Sequence, residues 1–461
     1  MDIEKDLKTV DLKQPLENFW SLSGEKILRI RKEYDTSKGS PVFTAAGKYT
    51  TRGWTEWTQG FQFGAEIIQF DATGEEEFLK LGRDATVSLM APHITHIGVH
   101  DHGFNNVSTY GALRRLSREG ELDAGEWELN FYDLALKSTG AVQAARWTDI
   151  AGGGGFIHSF NGPHSLFVDT VRTLRALALS HKLGHALFGE HDEKISLLER
   201  LIQHARATAE YNIYYGEGRD YYDLRGRTAH EAVFNVTDGN FRCPNSQQGF
   251  SPFSTWTRGL AWAMCGYPEQ LEFLETVSDE ELQPLGGREE IESMMLKAAT
   301  ATCDFYIDHT TVDGIPYWDT GAPEIHHLGD YTVLKSDPYN EFEPVDSSAA
   351  AIGAQGLLRL GRYLSSKGDK KSGSRYWQAG LTVARTLLSE PYLSSDRSHH
   401  GLLLHSVYHR PNGWDYIPDG RRIPCGESSM WGDYHVRELG LYLSRIIRGE
   451  TYYTFFNGIE H

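Results

Sequence analysis

The stretch Asp346-Ser347-Ser348-Ala349-Ala350-Ala351-Ile352-Gly353-Ala354-Gln355-Gly356-Leu357-Leu358 decides the architecture. Its pattern predicts a helix over 346–365. Ala349, Ala350, Ala351, Gly353, Ala354 and Gly356 project little, and charges are few. A helix of this kind is enclosed by neighbours. The segment 192–214 has the opposite character. Ile195, Leu198, Ile202, Ala205 and Ala209 form one stripe, while Glu193, Lys194, Glu199, Arg200 and Gln203 fall elsewhere. Such a helix has one buried and one solvated face. In 165–183, Phe167, Val171, Leu174 and Ala178 make a stripe, but Leu166, Leu177 and Leu179 lie off it, which again predicts enclosure.

Applied along the chain, the same reading predicts twelve helices, at 17–35, 58–72, 78–91, 103–117, 128–142, 165–183, 192–214, 254–278, 288–308, 346–365, 371–391 and 428–447. The enclosed class is 58–72, 103–117, 165–183, 254–278, 346–365 and 428–447; the remaining six are amphipathic. Strict alternation predicts an all-α fold, an (α/α)6 barrel of six inner and six outer helices, with 1–461 forming a single catalytic domain. The first helix is outer and the last is inner, so these two would close the ring. Strand signals are few and short, for example 401–408. The loops before the inner helices would surround one pocket.

Composition narrows the partners. The chain has 461 residues, 45 Lys plus Arg against 63 Asp plus Glu, and a net charge of −18, which argues against a nucleic-acid surface. A hydrophobic fraction of 40% supports a large core, and no apolar run reaches the roughly 20 residues of a membrane span. Cys243, Cys265, Cys303 and Cys425 are too scattered for a disulfide framework or a zinc knuckle. No signal peptide is read at Met1–Asp6, so the expected location is the cytoplasm, or the periplasm where a leader has been removed.

Candidate chemistry gathers before the inner helices. Asp101 lies in HDHGF (100–104), where it could simply cap a helix. His100 and His102 lack a third ligand at recognisable spacing, so no metal is expected. Asp169 lies among apolar residues in 166–171, where burial would raise its pKa and a nearby Asp101 would raise it further. A carboxyl protonated near neutrality is what a general acid requires. In WTRGLAW (256–262), Arg258 and Trp262 are four apart on one helical face, suited to a carboxylate and a flat ring. Trp57 and Trp431 occupy equivalent places before or within other inner helices. His230 and Gln248 fall in the long connection 215–253, and a long ordered loop is often functional. The run Gly152–Gly155 does not follow a predicted strand as a nucleotide loop would.

These segments resemble the unsaturated glucuronyl hydrolases, glycoside hydrolase family 88, and more distantly the unsaturated rhamnogalacturonyl hydrolases of family 105. The resembling stretches are EWTQGF (56–61), HDHGF (100–104), FNGPHSLFVDT (160–170), WTRGLAW (256–262), YWDTGAPE (317–324), DSSAAAIGAQGLL (346–358), LLLHSVYH (402–409) and SSMWGDY (428–434). The resemblance implies an (α/α)6 barrel that removes a 4,5-unsaturated uronic acid from the non-reducing end of lyase-generated oligosaccharides, without metal or cofactor. It makes Asp169 the general acid/base and Asp101 the second active-site aspartate. It places Trp57, His230, Gln248, Arg258 and Trp262 against the unsaturated sugar. The substrate would be a short uronic oligosaccharide, with neither nucleic acid nor membrane as partner.

Other readings share the barrel. An inverting glycosidase would need a base across the pocket, an epimerase-like isomerase would favour a histidine pair, and a non-catalytic scaffold would only bind oligosaccharide. Fold alone separates none of them.

Overall fold

The computed structural model describes residues 1–52 and 56–458. Its barrel helices are α1 (Lys13–Glu33), α2 (Gln59–Thr73), α3 (Glu76–Leu89), α4 (102–119), α5 (Glu126–Ala145), α6 (170–182), α7 (Leu197–Tyr211), α8 (Thr257–Leu274), α9 (Arg288–His309), α10 (Ser347–Ser366), α11 (Lys370–Leu387) and α12 (Met430–Arg448). The even-numbered helices are buried nearly all round, and the odd-numbered ones keep an exposed face. Each inner helix packs on the next, from α2 through α4, α6, α8 and α10 to α12 and back to α2. This is the (α/α)6 barrel expected from the alternation. Outer α1 seals the seam, where Trp20 Nε1 donates to Ser444 Oγ of α12 at 3.0 Å.

The small residues that mark the inner helices permit close approach. A Cβ added at Gly356 of α10 would lie 2.2 Å from the Met264 carbonyl oxygen of α8. One at Gly103 of α4 would lie 2.2 Å from the Thr173 carbonyl oxygen of α6. Local signals also start the helices. Asp346 accepts from the Ser348 amide at the head of α10, and Ser429 accepts from Gly432 at the head of α12. Deeper along the axis, Arg172 of α6 pairs with Glu269 of α8 at 2.9 Å and Glu438 of α12 at 2.8 Å. Arg359 of α10 pairs with Glu272 of α8 at 2.7 Å. These buried charges fill the barrel interior below the mouth.

The structure departs from the sequence reading where distant segments pair. Residues 165–169 do not open a helix. Ser165–Phe167 is a strand, paired antiparallel to Glu231–Phe234, which pairs in turn with Phe241–Asn245. Long-range ladder bonds override the local periodicity here, and the helix begins only at Thr170. Lys194–Ile195 likewise pairs with Leu187–Phe188 ahead of α7. Conversely, 401–408 forms no ladder and contributes a single bridge, Leu393 to Leu403. The glycine run turns a hairpin between Trp147–Asp149 and Gly155–Ile157, with Gly152, Gly153 and Gly154 at positive φ. No described helix is long and apolar enough to cross a membrane.

Candidate active site

The N-terminal ends of the inner helices converge on one pocket. Asp101 precedes α4, Asp169 precedes α6, Arg258 and Trp262 lie in the first turns of α8, and Trp57 stands on the short turn before α2. These five residues and Gln248 line the pocket. Phe104, Phe160, Trp256, Tyr408 and Trp414 complete an aromatic wall.

His230 sits immediately behind. The strand pairing carries it there, because the Val168 amide donates to the His230 carbonyl at 3.0 Å. Its ring lies 4.8 Å from Trp256 and 4.2 Å from Phe167. Its Nδ1 accepts from the Gln247 amide at 3.0 Å and the Gln248 amide at 3.3 Å. His230 therefore shapes the loop that presents Gln248. Burial holds its pKa down at about 4 against the pull of Asp169 and Glu231, so it is neutral near pH 7.

Arg258 is more committed than its sequence position suggests. Its guanidinium donates to Asp346 at 2.9 Å, to the Tyr408 carbonyl at 2.8 Å and to Gln248 Oε1 at 3.2 Å. It is sandwiched 4.7 Å from Trp256 and 4.9 Å from Trp431, not stacked on Trp262. The carbonyls of Val407 and Tyr408, in an irregular segment, supply partners that helical spacing cannot reveal. Trp431 is no wall residue: it is fully buried beneath Trp57, at 5.0 Å and 25° between ring planes. Trp262 packs at 4.8 Å from Phe104 on the pocket floor.

At the polar end, His100 Nε2 stands 3.6 Å from Asp169 Oδ2 and 3.9 Å from Asp101 Oδ1. These are ion-pair distances, longer than hydrogen bonds. Burial pushes Asp101 above its ordinary pKa; His100 offsets part of this, and Asp169 adds to it. Burial also pushes Asp169 up, but attraction from His100 outweighs it and leaves that carboxyl low. The reading that both burial and Asp101 would raise Asp169 omitted the imidazole between them. The mutual charges and burial of this cluster thus favour a proton on His100 or Asp101 over Asp169.

Several pocket residues escaped the sequence reading. The sequence marks His100, beside Asp101, only as a possible metal ligand. Among the described residues, no group of three or more His, Cys, Asp and Glu is arranged to hold a metal ion. Phe160, Gln247, His409 and Trp414 come from loops with no periodic signal, and Tyr408 from a segment that reads as a strand; all reach the pocket only through folding.

No family model matches the chain. An unsaturated glucuronyl hydrolase from Formosa agariphila is 25% identical over 391 residues, covering 83% of this chain and 78% of that protein. One from Bacillus sp. is 24% identical over 423 residues, covering 89% and 92%. An unsaturated chondroitin disaccharide hydrolase from Streptococcus agalactiae is 21% identical over 400 residues, covering 86% and 81%. The crystal structure of the Bacillus sp. GL1 unsaturated glucuronyl hydrolase superposes with a TM-score of 0.69 at 21% identity, covering 94% of this chain and 96% of that one. One specific for heparin superposes with a TM-score of 0.70 at 19% identity, covering 95% and 100%. In sequence over most of its length, and in the fold of its barrel, the chain is a relative of the unsaturated glucuronyl hydrolases.

Proposed function

We propose that the protein is a glycoside hydrolase that removes a 4,5-unsaturated uronic acid from the non-reducing end of lyase-generated oligosaccharides, with 1–461 acting as one catalytic domain. The observation that carries this is the cluster Asp101, His100 and Asp169 at one end of an aromatic pocket. The aromatic faces suit a flattened sugar ring, and the polar groups converge where its reacting atoms would lie. The C4=C5 bond of the substrate is a vinyl ether. Asp169, in its acid form, donates a proton to C4, and positive charge develops at C5. The resulting carboxylate then removes a proton from water as its oxygen bonds to C5. The hemiketal opens and the remaining sugar leaves. Attack is at C5, unlike the C1 chemistry of two-carboxylate glycosidases.

The other side chains have supporting parts. Asp101 holds a sugar hydroxyl beside Asp169. Trp57 and Trp262 pack on the ring. Gln248 contacts the sugar and is aimed by Arg258 and His230. The chemistry requires no metal or cofactor.

The test is direct. Unsaturated disaccharides from chondroitin, heparin, ulvan and rhamnogalacturonan lyases are incubated with the protein while absorbance of the conjugated double bond is followed. Loss of absorbance with release of the second sugar is expected. A flat trace across the whole panel would refute the proposal.

A further inference from the structure

The geometry points to His100 as the proton store of this pocket, passing a proton from Nε2 to Asp169 when a sugar seats and recovering one after water has added. The inference rests on the vinyl-ether reading above. Asp169, held low as a carboxylate, needs a proton donor beside it before it can act as an acid, and His100 Nε2 stands 3.6 Å away.

The bonding of His100 differs from that of the barrel's other buried imidazoles. His102 bonds Thr139 Oγ1 at 2.7 Å and the His96 carbonyl at 3.0 Å. His204 accepts from the Ile157 amide at 3.0 Å, and His435 bonds the Trp431 carbonyl at 2.6 Å. Those rings have structural anchors. His100 is only 1% exposed, yet among the described residues neither of its nitrogens has a partner within hydrogen-bond distance, and Asp169 stands at 3.6 Å. Packing holds it instead: Phe160 is stacked at 6.0 Å and Phe167 meets it edge-on at 5.6 Å. Its Nε2 is thereby kept at ion-pair distance from two carboxylates.

The surrounding charges favour a proton on this ring. Burial opposes the imidazolium, but attraction from Asp101 and Asp169 outweighs it and raises the pKa; Arg146 opposes weakly. The neighbouring imidazoles do not compete. Burial lowers His158 to about 4, His204 to about 3 and His230 to about 4. His102, next but one on the same segment, is likewise lowered to about 3 by burial.

A sugar entering the pocket displaces water from around the ion pair. Desolvation disfavours both charged partners and favours the neutral pair. The Nε2–H bond of His100 breaks and an O–H bond forms on Asp169. That proton moves to C4. Water then gives its oxygen to C5 and one proton to Asp169, which returns it to Nε2. One water is consumed, and His100 and Asp169 end as they began. No oxidant or external acid is needed within the cycle.

Two measurements test this. The first is independent of turnover. Imidazole NMR of the wild type should show His100 holding its proton above the ordinary histidine value of about 6.5, and Asp169→Asn should lower that titration. A wild-type His100 that titrates below this value overturns the inference whatever the substrate. The second uses His100→Gln with an unsaturated disaccharide that the wild type consumes. With an unchanged melting temperature, kcat is expected to fall about 100-fold with KM moved far less, and the alkaline limb of the pH profile should shift to lower pH. Added imidazole should restore part of the rate. A folded variant that keeps the wild-type pH profile also overturns the inference. If the wild type consumes no substrate, the enzymatic reading itself has failed, and the NMR titration still decides whether His100 stores a proton.

Discussion

Arg258 donates from Nη1 to the Asp346 carboxylate at 2.9 Å, with both side chains buried at the barrel mouth. Asp346 also caps α10, so one carboxylate ties the start of α10 to the start of α8. Removing one partner of a buried pair leaves an uncompensated charge, which costs about 3–5 kcal/mol. Asp346→Ala is therefore expected to lower the melting temperature markedly. A thermal melt indistinguishable from wild type would show that the pair contributes no stability.

Arg258 also serves the pocket by holding Gln248 Oε1 at 3.2 Å. Arg258→Lys keeps a charge but loses the planar fork that serves Asp346, Tyr408 and Gln248 together. Its KM is expected to rise about tenfold, equivalent to ~1.4 kcal/mol of binding. Steady-state kinetics of the purified variant check this, and an unchanged KM would remove Arg258 from the positioning role.

Asp169→Asn keeps the shape of the side chain but cannot exchange a proton. Turnover is expected to fall at least about a thousandfold, within the range of general acid–base catalysis. Circular dichroism and melting temperature should remain near wild type. Near-normal activity would refute the assigned role.

Trp57 is half-buried and stacked on Trp431 at 5.0 Å, so its outer face is open to the pocket. Trp57→Ala should raise KM by about tenfold, and Trp57→Phe should recover most of that loss, at ~1.4 kcal/mol per tenfold. Equal effects from Phe and Ala would show that ring stacking is not what Trp57 contributes.

Glu438 gives a pH prediction. Burial pushes it up, but Arg172, Arg175 and His435 outweigh this and hold it at about 2. An unfolded Glu titrates near 4.3. The stabilisation is thus present above pH 4.3 and is lost as pH falls toward 2. About two pKa units correspond to ~3 kcal/mol. Glu438→Gln is expected to melt lower at pH 7 and to show a shallower acid limb than wild type between pH 4 and 2. Parallel melting curves for the two proteins over that range would contradict the assignment.

Much of the barrel was legible because its determinants are local. The small, uncharged run in 346–358 and the one-sided stripe in 192–214 reveal enclosure without knowledge of the neighbours. Likewise, Asp101, Asp169 and Trp57 could be assigned to one mouth because each precedes or begins an inner helix. The loop contributions were hidden. Phe160 and Trp414 carry no periodicity, Tyr408 belongs to a run that reads as a strand, and the approach of all three depends on the path of the chain elsewhere.

The sequence alone therefore determined the helices, their inner or outer class and the end of the barrel where chemistry gathers, since burial period and capping are short-range properties. The tertiary structure decided the rest. Pairing of Ser165–Phe167 with Glu231–Phe234 set Asp169 outside its helix and brought His230 behind it. Folding engaged Arg258 with Asp346 and buried Trp431 under Trp57. It also placed His100 between two carboxylates, so that Asp169 is lowered where burial alone would have raised it. Strand pairing and electrostatic coupling depend on distances between remote segments and on shared burial, and neither is written in local periodicity.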